Sequence, residues 1–122
     1  MKKTPRKKKS KRNPVERYEV IELPADNVGM EKYVETNRDE INSRIVDNID
    51  YALKNKLGGV EIFCFKGSNF VVVLNRKDFE ESLRSIYEFS LDHENFTVCE
   101  KAKKLLGKVE KMSYVLTYNK IK

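Results

Sequence analysis

Gly58-Gly59-Val60-Glu61-Ile62-Phe63-Cys64-Phe65-Lys66-Gly67-Ser68-Asn69-Phe70-Val71-Val72-Val73-Leu74 is the stretch that decides the fold. Residues 60–65 and 70–74 are apolar and rich in β-branched and aromatic side chains. Lys66-Gly67-Ser68-Asn69 between them supplies turn chemistry, so the stretch reads as a β-hairpin. Regular pairing sets Phe65 opposite Phe70, Cys64 opposite Val71 and Phe63 opposite Val72. One face then carries Phe63, Phe65, Phe70, Val72 and Leu74, and the other Val60, Ile62, Cys64, Val71 and Val73. A sheet covered on one side should alternate apolar with polar residues, and this hairpin does not. A cover is therefore expected on the second face: another element of the chain, a second copy forming a homodimer, or nucleobases stacked on Phe63, Phe65 and Phe70.

Working outward, residues 18–23 (Tyr-Glu-Val-Ile-Glu-Leu) read as a short strand stopped by Pro24. Residues 24–36, with Asp26-Asn27 and Gly29, show no clear period and read as a loop. Asn37-Arg38-Asp39-Glu40 is a capping-box pattern. It leads into Ile41, Ile45, Ile49, Leu53 and Leu57 at spacing four, an amphipathic helix closed by Gly58-Gly59. After the hairpin, Asn75 can cap a second helix with Phe79, Leu83, Ile86, Tyr87 and Ser90 on one face. Asp92-His93-Glu94-Asn95 breaks it. A third helix carries Phe96, Cys99, Ala102, Leu106 and Val109, and residues 113–118 (Ser-Tyr-Val-Leu-Thr-Tyr) read as a closing strand. The expected fold class is α+β, an antiparallel sheet with helices on one face. Its order is β-α-β-β-α-α-β, ferredoxin-like with a split second helix.

The chain has 122 residues, enough for one domain with a modest core. Hydrophobic residues make up 39% and charged residues 36%, which suits a globular body. No apolar run approaches the roughly 18–20 residues a membrane span needs. No apolar segment follows the basic N-terminus, so it does not read as a secretory signal. The expected setting is cytoplasmic, or nuclear in a eukaryote. Lys is frequent, Asn and Ile are well represented and Trp is absent, which fits an AT-rich genome such as that of a low-GC bacterium or its phage. Cys64 and Cys99 sit among apolar neighbours and read as reduced core thiols rather than a disulfide or a metal pair.

The formal charge of +6 is unevenly placed. Residues 1–12 hold Lys2, Lys3, Arg6, Lys7, Lys8, Lys9, Lys11 and Arg12 with no acid, while residues 13–122 hold 17 basic and 19 acidic residues. A run of this kind repels itself and has nothing apolar to bury, so residues 1–14 are expected to be a disordered tail on a single domain of residues 15–122. Such an arm neutralises phosphates and releases counterions, which makes RNA or DNA the expected partner and the eight cations the expected contacts. A solubility tail, a nuclear-import signal (Pro5-Arg6-Lys7-Lys8-Lys9-Ser10-Lys11-Arg12) and an anchor on an acidic protein or membrane surface compete with that reading.

Two resemblances bear on function. Lys66-Gly67-Ser68-Asn69-Phe70-Val71-Val72-Val73 resembles the basic-Gly-aromatic signature of RNA-recognition-motif domains, with Val20-Ile21-Glu22-Leu23-Pro24 in the place of their first-strand motif. The resemblance implies a four-stranded sheet that stacks bases. Ser68 and Glu19 stand where that family has aromatics, leaving Phe70 of the stacking set. Residues 79–111 resemble the UVR helical hairpin, on Asn95-Phe96-Thr97-Val98-Cys99-Glu100-Lys101-Ala102, with Thr97 and Cys99 departing from its pattern. That resemblance implies protein docking.

Catalytic chemistry is not visible. His93 is the one histidine and sits in a turn, Gly58-Gly59 reads as a helix terminus rather than a phosphate loop, and Cys64, His93 and Cys99 are too few and scattered for zinc. The expected function is a non-catalytic nucleic-acid-associated protein, with no cofactor and no metal. The alternative is a small protein–protein interaction module or assembly component docking through its sheet or helical hairpin.

Overall fold

The structure is a computed structural model that describes residues 14–121, with the side chains of residues 14–109. The basic run of residues 1–12, and with it the expectation of a disordered tail, lies outside the described residues.

Strand β1 (Val15–Leu23) leads into helices α1 (Asn27–Thr36) and α2 (Arg38–Lys54). Strands β2 (Gly59–Phe65) and β3 (Val71–Asn75) form the hairpin. A 3-10 turn (Arg76–Asp78) opens α3 (Phe79–Asp92), and α4 (Phe96–Ile121) follows it. The sheet has the strand order β1-β2-β3, β1 parallel to β2 and β2 antiparallel to β3. The order is therefore β-α-α-β-β-α-α on a three-stranded mixed sheet, which overturns the expected ferredoxin-like order.

Two segments account for the difference. Residues 24–36 are not a loop. Asp26 caps α1 by accepting the Gly29 N–H at 2.7 Å, and Met30, Tyr33 and Val34 pack on a small core of Ile21, Leu23 and Ile41. Gly29 stands in the first turn beneath the cap, where it does not break the helix. Residues 113–118 are not a strand, because α4 runs through them. Without a fourth strand the base-stacking sheet implied by the RNA-recognition-motif resemblance is not present among the described residues.

The main core joins Val46, Ile49 and Ala52 of α2, Val60 and Ile62 of β2, Phe79, Leu83 and Ile86 of α3, and Val98, Ala102, Leu105 and Leu106 of α4. The spacing-four pattern thus buries α2 as its sequence dictates, with Ile49 and Ala52 fully covered. Its C-terminus differs from expectation. Lys54 ends the helix, and Lys56 takes the left-handed region (φ 55°). The Leu57 N–H then returns to Ala52 O at 2.9 Å in a Schellman arrangement. Gly58 instead leads into β2, which Gly59 opens. A Cβ on Gly59 would lie 2.9 Å from the Leu74 carbonyl, so glycine is required by the close approach of β3.

The hairpin is not regular either. Ile62 is an extra residue between the pairs Glu61↔Val73 and Phe63↔Val72, and Tyr18, Glu19 and Val20 are looped between Arg17↔Glu61 and Ile21↔Phe63 on β1. The bulge breaks the alternation. Val60 and Ile62 are buried, and Phe63 and Phe65 also pack on the helix side. The outer face keeps Cys64, Val71 and Val73, with Glu61 ion-paired to Arg17 at 3.0 Å. The expected second apolar face is therefore halved and carries charge.

Candidate nucleic-acid interface

The root of the tail is fixed in place. Pro14 O accepts the Gly58 N–H at 2.7 Å, and Val15 pairs with Gly59 at the start of the parallel ladder.

Three segments meet at this pole. The α2 terminus brings Lys54 and Lys56. The strand entrance brings Leu57 and Gly58. The end of the hairpin brings Arg76 and Lys77, held by Arg76 N–H to Gly58 O at 2.8 Å and Arg76 Nε–H to Leu57 O at 2.9 Å. Lys54 is engaged by Asp50 at 3.1 Å. Lys56, Arg76 and Lys77 have no carboxylate within ion-pair distance among the described residues.

Elsewhere much of the body's positive charge is already paired. Arg17 meets Glu61, Arg44 meets Glu19 and Glu40, Arg84 meets Glu80, and Lys101 meets Asp47 at 2.9 Å. The Asp47 carboxylate, hydrogen-bonded to the ammonium, holds Lys101 above the ordinary lysine range. Lys103, Lys104 and Lys108 on α4 are exposed, but nothing ties them to the tail's root.

The structure does not bring Phe63, Phe65 and Phe70 together as a stacking surface. Phe63 and Phe65 are half-buried against Ile21, Leu23 and Ile41. Phe70 is 77% exposed just past the turn, where Gly67 adopts φ 72° and the Phe70 N–H bonds Ser68 Oγ at 3.0 Å. What sequence reading missed is the convergence of residues 54–58 with 76–77. Their basic character was visible, but their proximity depends on the parallel β1–β2 register, which no local spacing encodes.

His93 ends α3 in an exposed position, its ring stacked on Phe89 at 3.9 Å with Nδ1 2.9 Å from Phe89 O. The Arg38 guanidinium lies 5.0 Å from the centre of the same Phe89 ring. These residues and Glu35, Asn37, Asp39 and Glu40 line an open crevice. Cys64 and Cys99 are free thiols, the second buried with Sγ 3.9 Å from Tyr87 O. Among the described residues no group of three or more His, Cys, Asp or Glu is placed to hold a metal, and no helix is long and apolar enough to cross a membrane. Comparison with family models, with curated proteins and with solved structures finds no match, so the functional reading rests on the chain's own residues.

Proposed function

We propose that this chain is a non-catalytic nucleic-acid-binding protein whose N-terminal tail grips the phosphate backbone and whose α+β body positions it. The observation that carries the reading is the charge segregation: eight cations and no acid in residues 1–12, against a body with fewer bases than acids. Lys2, Lys3, Arg6, Lys7, Lys8, Lys9, Lys11 and Arg12 supply the affinity, which is independent of base sequence and sensitive to salt. Such a partner places the protein in the cytoplasm, or in the nucleus of a eukaryotic cell. The test compares full-length protein with residues 14–122 for binding a labelled mixed-sequence RNA and a DNA duplex at low salt. Loss of binding on truncation supports the reading. Equal binding by both forms overturns it.

The β3 edge favours a second, compatible reading, that the body associates with a second copy of itself. Edge strands invite pairing unless blunted by charge, proline or bulges. The β1 edge is blunted by all three: Glu16, Arg17, Glu19 and Glu22, flanking Pro14 and Pro24, and the looped residues 18–20. The β3 edge has none of these. From Gly67 to Asn75 there is no charge, and Val71, Val72 and Val73 are each more than a third exposed. Antiparallel self-pairing centred on Val72 sets Val71 against the partner's Val73 and exposed Phe70 against the partner's Leu74, with no like charges opposed. Sedimentation analysis tests it. A dimer abolished by Val72→Lys is expected, and a monomeric wild type at high micromolar concentration would exclude it.

A further inference from the structure

We propose that the body carries its own phosphate-binding site at the root of the tail, made by Lys56, Arg76 and Lys77, so that the cationic track does not end at Arg12. The inference rests on the nucleic-acid reading above, and it assigns binding to residues that a near-neutral body would not be credited with.

Three observations carry it. The site is contiguous with Pro14, because the Gly58 N–H bonds Pro14 O and the Gly58 carbonyl accepts the Arg76 N–H, which gathers all three segments around one residue. The charges are available, because Lys56, Arg76 and Lys77 have no ion-pair partner among the described residues, whereas Lys54 at the same pole is paired with Asp50, and Arg17, Arg44 and Lys101 elsewhere are paired too. Arg76 is also held before any ligand arrives. Arg76 spends Nε–H on Leu57 O, which orients the guanidinium and leaves its terminal Nη donors without a partner among the described residues. Lys56 stands at a left-handed position where helix termini ordinarily use glycine. Lysine there gives up some backbone comfort, and a cation beside the tail's root is what it supplies.

The ligand class is a phosphodiester backbone. One strand presents a charge every 3.4 Å of axis, so a backbone gripped by the tail runs past the anchor within reach of this cluster. Asp78, which follows Lys77 and is half-buried, and Asp50, paired to Lys54, keep the pole from being a strong field by itself. The site therefore extends the tail and does not replace it.

The experiment measures binding of full-length protein to a labelled DNA duplex across a salt series. It compares wild type, Lys56→Gly/Lys77→Gln, and a control with the same charge removed from α4, Lys103→Gln/Lys104→Gln. The plot of log Kobs against log salt is expected to become shallower by roughly 1.8 in the first variant, about 0.9 for each phosphate no longer neutralised, and to hold in the control. Lys56→Gly also relieves the left-handed strain, so weaker binding by a chain that melts no lower than wild type separates a missing phosphate grip from a damaged fold. An unchanged slope, or an equal fall in the control, overturns the proposal and leaves the tail reading standing. Failure of the wild type to bind at low salt overturns both.

Discussion

Asn48, fully buried on α2, bonds both backbone groups of Glu19: its Oδ1 accepts the Glu19 N–H at 2.9 Å and its Nδ2 donates to the Glu19 carbonyl at 3.2 Å. Glu19 is the middle of the three residues looped out where β1 changes register against β2. A strand residue out of register loses its ladder partners, and the side-chain amide returns both a donor and an acceptor on separate atoms, as a neighbouring strand would. Arg44 Nη1 donates to the neighbouring Val20 carbonyl at 3.3 Å, so α2 braces the whole irregularity.

Replacing Asn48 by leucine keeps the branched shape, though not the volume, and removes both bonds. Two backbone groups are then left unpaired under α2. A loss of about 2–4 kcal/mol in stability by urea unfolding is expected, and a loss below about 0.5 kcal/mol would show that water replaces the amide.

Ser90 is the opposite case. Its hydroxyl is buried with no partner among the described residues, on the α3 face toward the core. Ser90→Ala removes an unsatisfied polar atom without changing the fold. A gain on the order of 1 kcal/mol is expected in the same unfolding assay.

Phe63 and Phe70 are matched aromatics with different surroundings. Phe63 packs against both clusters, whereas Phe70 stands mostly in solvent. Alanine at Phe63 should cost roughly 2–4 kcal/mol, and at Phe70 less than about 0.5 kcal/mol in the monomer. Similar losses at both would contradict the bulged register of β2.

Tyr51 gives a pH signature. Its hydroxyl donates to Glu16 Oε1 at 2.9 Å and its ring stacks on Tyr18 with centroids 4.3 Å apart. The hydrogen bond to the Glu16 carboxylate pushes the phenol above the ordinary tyrosine range. A raised phenol stabilises the folded state while protonated, so the contribution is full below the unfolded-state value and fades as pH rises through the raised one. Tyr51→Phe should therefore differ from wild type at neutral pH and converge with it in strongly alkaline solution, read by unfolding at each pH. A gap that widens with alkalinity would reverse the sign.

Parts of this fold were legible in the residues and parts were not. The spacing-four isoleucines of α2, the amphipathic face of α3 and the hairpin turn at Gly67 are encoded locally, and the structure places them as the pattern implies; on α4 Cys99, Ala102 and Leu106 are buried as expected, but Phe96 is 59% exposed and Val98 and Leu105 complete the buried face. Of the three cross-strand pairs expected for the hairpin, Phe63 with Val72 and Cys64 with Val71 are present. Phe70 lies outside the strand. The bulge at Ile62 left no local mark, since Glu61-Ile62-Phe63-Cys64 alternates acceptably in either register. Gly29 hid α1 because a glycine beneath an aspartate cap resembles a turn. The stretch 113–118 is as β-branched and aromatic as a strand, yet it continues a helix already nearly five turns long, and propagation adds a bond per residue where a new strand would need a neighbour. The tail's charge was plain from composition, but its anchor at Gly58 exists only through the parallel pairing of β1 with β2.

The most direct test of the nucleic-acid reading is the salt dependence of full-length protein on a DNA duplex, set beside that of residues 14–122. Eight tail cations can release counterions with a log–log slope of up to about −7, so a steep slope that collapses on truncation is expected. A shallow slope in the full-length chain, or one that survives removal of residues 1–13, would contradict the tail as the phosphate grip.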